Sequence, residues 1–217
     1  MNVFINCGTV VFMVRNEKPK TRKEQSEATH RLLLKTARGT LKRQGFEATT
    51  IREVAESAGV ATGTVMAHFG SKEEMLYEVL HHDINKIAEV VLASVKPDLP
   101  VCKSLQFIGE SFLKEYGSEP DLYADFLEHS LFARGTWGDR FSEQVEQVGG
   151  QVAAILSAAV QRKELRTSTD IRAATMTFFA NYYFVLIIQT KSKFADIDAG
   201  VAQLRMLIEH QIEGLKR

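Results

Sequence analysis

Apolar residues recur at helical spacing along almost the whole chain after about Thr21. The sequence carries no alternating strand pattern and no asparagine–glycine hairpin signal. The prolines fall at apparent boundaries, which leaves the runs between them unbroken (Pro19, Pro97, Pro100 and Pro120). The pattern predicts an all-α protein.

The first predicted helix runs over residues 23–44 and ends at Gly45, a residue typical of helix termini. Its apolar side consists of Leu33, Leu34, Ala37 and Leu41. Two short helices follow. Thr50 and Glu53 have the spacing of a capping box, in which each side chain bonds the backbone N–H of the other residue.

Gly59 separates the two short helices, at a position where a chain leaving a helix favours a positive φ. The second helix is predicted over 61–69. Two short helices joined by such a turn are typical of a helix-turn-helix, whose second helix can enter the major groove.

A second capping box, Ser71 with Glu74, is predicted to open a long helix that ends near Val95. Further helices are predicted over 101–116, 120–134, 138–164, 168–190 and 195–215. No internal repeat or low-complexity tract is present.

Charge is unevenly distributed although the formal net charge is zero. Residues 15–60 hold eleven Lys and Arg against six Asp and Glu, whereas residues 82–217 hold fifteen against eighteen. A basic N-terminal part is what a local DNA contact requires, although many basic faces are only solvated.

The two cysteines, Cys7 and Cys102, show no pairing pattern, which favours a reducing cytoplasm. Either could be a redox sensor or a small buried residue. The apolar run 178–188 is interrupted by Asn181 and is too short to span a bilayer, so we expect no membrane contact. Residues 1–20 are expected to be an extension, disordered or with a mis-assigned start, because residues 1–12 precede a second methionine, Met13.

Segment 45–76 resembles the TetR family of bacterial transcriptional regulators, and the likeness covers about residues 29–79. The matching positions are Gly59, Val60, Gly63, Thr64, His68, Phe69, Ser71 and Lys72. The resemblance implies a three-helix DNA-binding domain over 21–70 and a helical ligand-binding and dimerisation domain over 71–217. The first helix of the second domain, 71–95, would connect the two.

The resemblance also implies that a homodimer binds double-stranded DNA at an inverted repeat. The expected DNA-binding residues are Thr50, Ala61, Thr62, Gly63, Thr64, Met66, His68 and Lys72. Ala61 and Met66 depart from the serine and tyrosine usual in the family, which puts the operator sequence in doubt. The alternative is an exposed helix face without function. Other bases could touch phosphate or only be solvated (Arg31, Lys35, Lys42, Arg43 and Arg52).

The last two helices are expected to form the dimer interface of the family. The face assigned to it comprises Phe178, Tyr182, Val185, Leu204 and Ile208. A small apolar or amphipathic effector, bound among aromatic side chains after Lys96, is expected to release the DNA. The candidate ligand-binding residues are Phe107, Phe112, Tyr116, Phe126, Phe132, Trp137, Met176, Phe178 and Tyr182, each of which could instead be plain core.

No catalytic, nucleotide-binding or zinc-protease motif is present. His81 and His82 diverge by about 100° on a helix and cannot chelate from one face. We therefore expect no cofactor, no metal and no enzyme, and interpret the chain as a ligand-responsive repressor. The alternatives are a helical ligand-binding protein whose DNA-binding domain has decayed, and an all-helical enzyme.

Overall fold

The structure is a computed structural model that describes residues 21–130 and 135–216. These residues form nine α-helices and no strand, so the predicted all-α fold is confirmed for them. The helices are α1 Arg22–Ala48, α2 Ile51–Ala58, α3 Thr62–Phe69, α4 Lys72–Ser94, α5 Val101–Ser118, α6 Pro120–Ser130, α7 Thr136–Gln161, α8 Ile171–Lys191 and α9 Ile197–Leu215. The expectations for residues 1–20, Cys7 and Phe132 fall outside the described residues.

Helix α1 begins after a capping box formed by Thr21 and Glu24. Its helical geometry is interrupted at Gly45, where φ is 77°, and one further turn follows. That turn buries Phe46. Glycine suits this position because a side chain strains a backbone with positive φ.

Helix α4 connects the first three helices to the remaining five. Its inner side is buried from Met75 near the start to Val91 near the end. Because α1 packs against its first half and α5 to α7 contact it as well, a single apolar core runs through the chain.

Helix α9 lies against α5 and α8, and two glycines allow the close approach. A Cβ atom on Gly109 would lie 2.8 Å from Leu204 Cδ2, and one on Gly200 would lie 2.7 Å from the side-chain amide carbon of Gln189. A larger side chain at either glycine would therefore push the helices apart.

The dimer face assigned from the sequence is wrong in its residues, because all five are buried inside the single chain. These are Phe178, Tyr182, Val185, Leu204 and Ile208. The apolar side chains that α8 and α9 expose are Met176, Phe184, Ile187, Ile188 and Met206. We call these five residues the outer apolar strip.

By length and composition α8 could cross a membrane, contrary to the expectation that no segment could. Its inner side packs against α7 and α9. Asn181, the polar residue within it, donates to Gln211 of α9 at 3.2 Å. Among the described partners, Gln189 Oε1 receives no hydrogen bond although the atom is buried.

Candidate DNA-binding surface and internal cavity

The predicted capping box at the start of α2 is confirmed. Thr50 Oγ1 accepts from the N–H of Glu53 at 3.2 Å, and the Glu53 carboxylate accepts from the N–H of Thr50 at 3.0 Å. These bonds to Thr50 lower the pKa of Glu53. At the other end, Gly59 has the left-handed conformation expected of it, with φ 68° and ψ 33°.

Helix α3 is anchored by Val65 and Phe69, both buried. Its first turn has no side-chain cap, because Ala61 occupies the cap position. The side of α3 opposite the anchors is exposed, and Met66 on it is 44% exposed. This arrangement leaves a helix face free to enter a groove wide enough for one helix.

Four of the predicted DNA-binding residues lie together on the exposed surface of α3 and its cap: Ala61, Thr62, Gly63 and Met66. Thr64 is half-buried, and the hydroxyl of Thr50 is engaged in capping α2.

The other two predicted DNA-binding residues pack against α1. His68 lies with its ring centroid 5.3 Å from that of His30. Lys72 Nζ donates to the carbonyl oxygen of Glu47 at 3.0 Å and lies 4.2 Å from the ring centroid of Phe46. Lys72 therefore ties α4 to the end of α1, a role that the sequence did not indicate.

Two of the loosely assigned bases form ion pairs within the chain. Lys42 Nζ lies 2.7 Å from Glu119 Oε1, and Arg52 Nε lies 2.9 Å from Glu56 Oε1. Arg31 and Lys35 are exposed on α1. An exposed, unpaired base attracts a phosphate more strongly than one already compensated by a carboxylate.

A cavity of about 50 Å³, partly open to the surface, lies among α4 to α8. Its lining includes five aromatic rings of α5 and α8, and α7 contributes a continuous side. The lining residues are Ile84, Phe112, Tyr116, Leu127, Phe141, Gln144, Val145, Val148, Phe179, Tyr182, Tyr183 and Leu186.

Three residues of the predicted ligand site, Phe112, Tyr116 and Tyr182, line this cavity. The others that the structure describes do not. Phe107 and Met176 lie on the surface, 38% and 63% exposed.

Of the remaining predicted ligand residues, Phe126 and Phe178 are buried in the core and Trp137 is half-buried. Phe126 and Trp137 flank Tyr77, with ring centroids 6.3 Å and 5.4 Å from its own. Phe178 is buried against Phe179. The contribution of α7 to the cavity was not predicted. It could have been recognised from a helical spacing in the sequence, at Phe141, Gln144, Val145 and Val148.

A cluster of charged side chains joins α1 to α4 and to the end of α5. Arg38 Nε lies 2.5 Å from Asp83 Oδ2, and Arg38 Nη1 lies 3.2 Å from Glu119 Oε2. Burial alone would raise the pKa of Glu119, but hydrogen bonds from Lys42 and Arg38 lower it. We call Arg38, Lys42, Asp83 and Glu119 the Arg38 cluster.

The turn at Gly59 and the exposed second helix give residues 50–69 the geometry of a helix-turn-helix. Residues 33–79 match the family described as bacterial regulatory proteins, tetR family. The match covers 47 of the 217 residues, so it assigns this segment, and not the whole chain, to the TetR family.

Curated relatives match mainly through the same segment. The uncharacterized HTH-type transcriptional regulator YfiR of Bacillus subtilis is 34% identical over 68 residues, which are 31% of this chain and 33% of YfiR. The HTH-type transcriptional repressor KstR2 of Mycobacterium tuberculosis is 44% identical over 48 residues, 22% of this chain and 24% of KstR2. The chain thus spans a third or less of the length of these two relatives.

The fold extends well beyond that segment. The transcriptional regulator FadR from Bacillus subtilis, solved in complex with stearoyl-CoA, superposes with a TM-score of 0.68 over 86% of this chain and 99% of FadR. The sequence identity is 17%, so this likeness concerns the fold alone.

Proposed function

We propose that the chain is a ligand-responsive transcriptional repressor, which binds an inverted-repeat operator as a cytoplasmic homodimer and leaves it when a small effector occupies the cavity. The observation that carries the proposal is the exposed face of α3, held by buried Val65 and Phe69 within a segment matching DNA-binding regulators. Residues 21–70 would form the DNA-binding domain and 71–217 the effector domain. In this proposal the chain is not an enzyme, in keeping with relatives that are transcriptional regulators.

On DNA, the α3 surface would enter the major groove. Ala61 and Gly63 present almost no side chain, so the backbone can approach the bases closely. Thr62 and Met66 would contact base edges, the latter through apolar contact with a thymine methyl group. Arg31 and Lys35 would contact phosphates.

The homodimer would form through the outer apolar strip. On α8 its members recur at helical spacing, from Met176 through Phe184 to Ile187, on the side that faces away from the core. Burial of such a strip between two copies removes apolar surface from water. Two-fold symmetry then places the two α3 helices in successive major grooves, about 34–36 Å apart or a multiple of that.

Coupling between cavity and DNA would pass through the Arg38 cluster. Ile84 lines the cavity, and its neighbour Asp83 binds Arg38. Tyr116 lines the cavity as well, and Glu119, one turn further along, binds the same arginine. A shift of α4 or α5 at the cavity would therefore move a carboxylate that binds Arg38. Because Arg38 lies on α1, that helix would move as well.

The proposal is tested by fluorescence anisotropy with the DNA upstream of the gene. Met66→Glu places a negative charge on the α3 surface, which should weaken binding at least tenfold because the phosphates repel it. Val90→Glu is the matched control, since Val90 is an exposed apolar residue of α4, 60% accessible. Equal binding by both variants would show that α3 is not the DNA-binding surface.

A further inference from the structure

The walls of the cavity are apolar over most of their area. Phenylalanines from three helices contribute rings, Phe112 from α5, Phe141 from α7 and Phe179 from α8. Ile84 and Leu186 add aliphatic contact. Such walls stabilise an apolar molecule by contact, and they offer a polar molecule no hydrogen bond in place of its hydration.

Three tyrosines supply hydroxyl groups to the same cavity: Tyr116, Tyr182 and Tyr183. Burial raises the pKa of Tyr183 to about 12. Burial also raises the pKa of Tyr182 well above its usual value, and the neighbouring Tyr116 and Tyr183 raise it further. The hydroxyls therefore stay protonated and can donate hydrogen bonds at any physiological pH.

The amide of Gln144 is held in place from outside the cavity. Gln144 Nε2 donates to Asn85 Oδ1 at 2.5 Å, and Asn85 Nδ2 lies 3.2 Å from His81 Nδ1. Burial lowers the pKa of His81, so the imidazole at the end of this chain is neutral at neutral pH. The polar side of the cavity thus carries no cation through this network.

Charge is absent from the lining as far as the described residues define it. A carboxylate or phosphate entering this space would lose its hydration without gaining a cationic partner, and that loss is costly. An uncharged acceptor, such as a ketone or ester oxygen, loses less hydration and is matched by the tyrosine hydroxyls.

The cavity is small compared with ligand pockets of about 300–1000 Å³. A bound molecule must therefore be compact, and its entry must separate the walls. Two of these walls, α4 and α5, carry the carboxylates that hold Arg38.

We infer that the effector is an uncharged, compact and largely apolar molecule whose hydrogen-bond acceptor is recognised by the cavity tyrosines. The inference rests on the proposed function, because it names the chemistry of the effector that the repressor would sense.

Three probes of nearly the same shape test it by calorimetry on the full chain: acetophenone, isopropylbenzene and benzoate. Acetophenone should bind, isopropylbenzene should bind about two- to tenfold more weakly for want of one hydrogen bond, and benzoate at least tenfold more weakly than acetophenone. Benzoate binding as tightly as acetophenone, or no binding of either neutral probe at its solubility limit, would overturn the inference.

Tyr182→Phe, which keeps the ring and removes the hydroxyl, should lower the affinity for acetophenone to that for isopropylbenzene. Binding of isopropylbenzene should stay within twofold, which also shows that the variant folds. Tyr123→Phe is the matched control, because Tyr123 is buried against Tyr116 and its hydroxyl faces Glu115 at 3.4 Å. An unchanged preference in Tyr182→Phe and in Tyr183→Phe contradicts recognition by these hydroxyls.

Anisotropy with the upstream DNA separates this inference from the proposed function. If acetophenone binds in the expected order but leaves DNA affinity unchanged, the effector chemistry stands and the ligand-responsive function fails. If benzoate binds more tightly and releases DNA, the function stands and the inferred chemistry is wrong.

Discussion

The helix-turn-helix and the cavity-bearing domain are held in shape by different kinds of interaction. In α2 the capping pair is three residues apart, and the turn into α3 depends on the single residue Gly59. In the cavity-bearing domain the close packing joins residues far apart in sequence, such as Gly109 of α5 with Leu204 of α9. Local interactions thus define the first region, and long-range packing defines the second.

This difference predicts opposite outcomes for two pairs of substitutions in the last helices. Leu204→Glu with Ile208→Glu buries two charges in the core, and should abolish cooperative unfolding because total stability is only about 5–15 kcal/mol. Phe184→Glu with Ile187→Glu changes only the outer apolar strip, so the chain should stay folded and become monomeric. Circular dichroism melting and analytical ultracentrifugation measure the two effects.

A folded monomer from the Leu204 and Ile208 pair would mean that these residues face a partner after all. A folded dimer from the Phe184 and Ile187 pair would mean that the outer apolar strip is not the interface.

Smaller effects are expected at the two helix caps. Thr50→Ala removes the cap of α2 and should lower the free energy of unfolding by about 1 kcal/mol. Ala61→Ser supplies the cap that α3 lacks and should raise it by about 0.5 kcal/mol. Urea unfolding gives both values. Thr177→Ala, at an exposed position inside α8, is the control and should change the free energy of unfolding little. If Thr177→Ala lowered it as much as Thr50→Ala does, the loss at Thr50 could not be attributed to the cap.

The smallest effect is expected at the Arg38 cluster. The folded pKa of Glu119 is lowered, so its stabilisation is present above the unfolded pKa near 4.5 and is lost as the pH falls through the folded value. Glu119→Gln should therefore destabilise the protein by about 0.2–1 kcal/mol at pH 7. By pH 3 the difference from the wild type should have narrowed.

Urea midpoints at the two pH values measure this, with Glu128→Gln on the exposed side of α6 as control. If the stability lost in Glu119→Gln were the same at both pH values, the stabilisation by Glu119 would not be electrostatic.

The same contrast explains which features could be predicted from the sequence. The turn at Gly59 and the capping box at Thr50 could be predicted because their signals lie within a few residues. Which side of α8 faces the core could not be predicted, because the helix is apolar nearly all round. Buried Tyr182 and exposed Phe184 both look like core residues in the sequence. In α9 the spacing of Leu204 and Ile208 is the same whether the helix packs on its own chain or on a partner.

Chemical ambiguity explains why several predicted ligand residues lie away from the cavity. Aromatic side chains fill cores and line cavities alike, so nothing local distinguishes Phe126, packed beside Tyr77, from Phe112 in the cavity wall. The contact of Lys72 with the carbonyl of Glu47 could not be predicted for a related reason, because it spans 25 positions of sequence.

The several faces of α8 have a consequence for how the protein can evolve. One side of this helix contributes Tyr182 and Leu186 to the cavity, and the opposite side carries Phe184 and Ile187 of the outer apolar strip. A mutation that shifts or rotates α8 to admit a new ligand would also alter the surface that we propose binds a second copy. Among the described residues, helix α7 lines the cavity but carries no part of the outer apolar strip. Its side away from the cavity is polar and exposed at Glu146. Inherited changes in ligand preference should therefore accumulate on α7, while α8 diverges slowly.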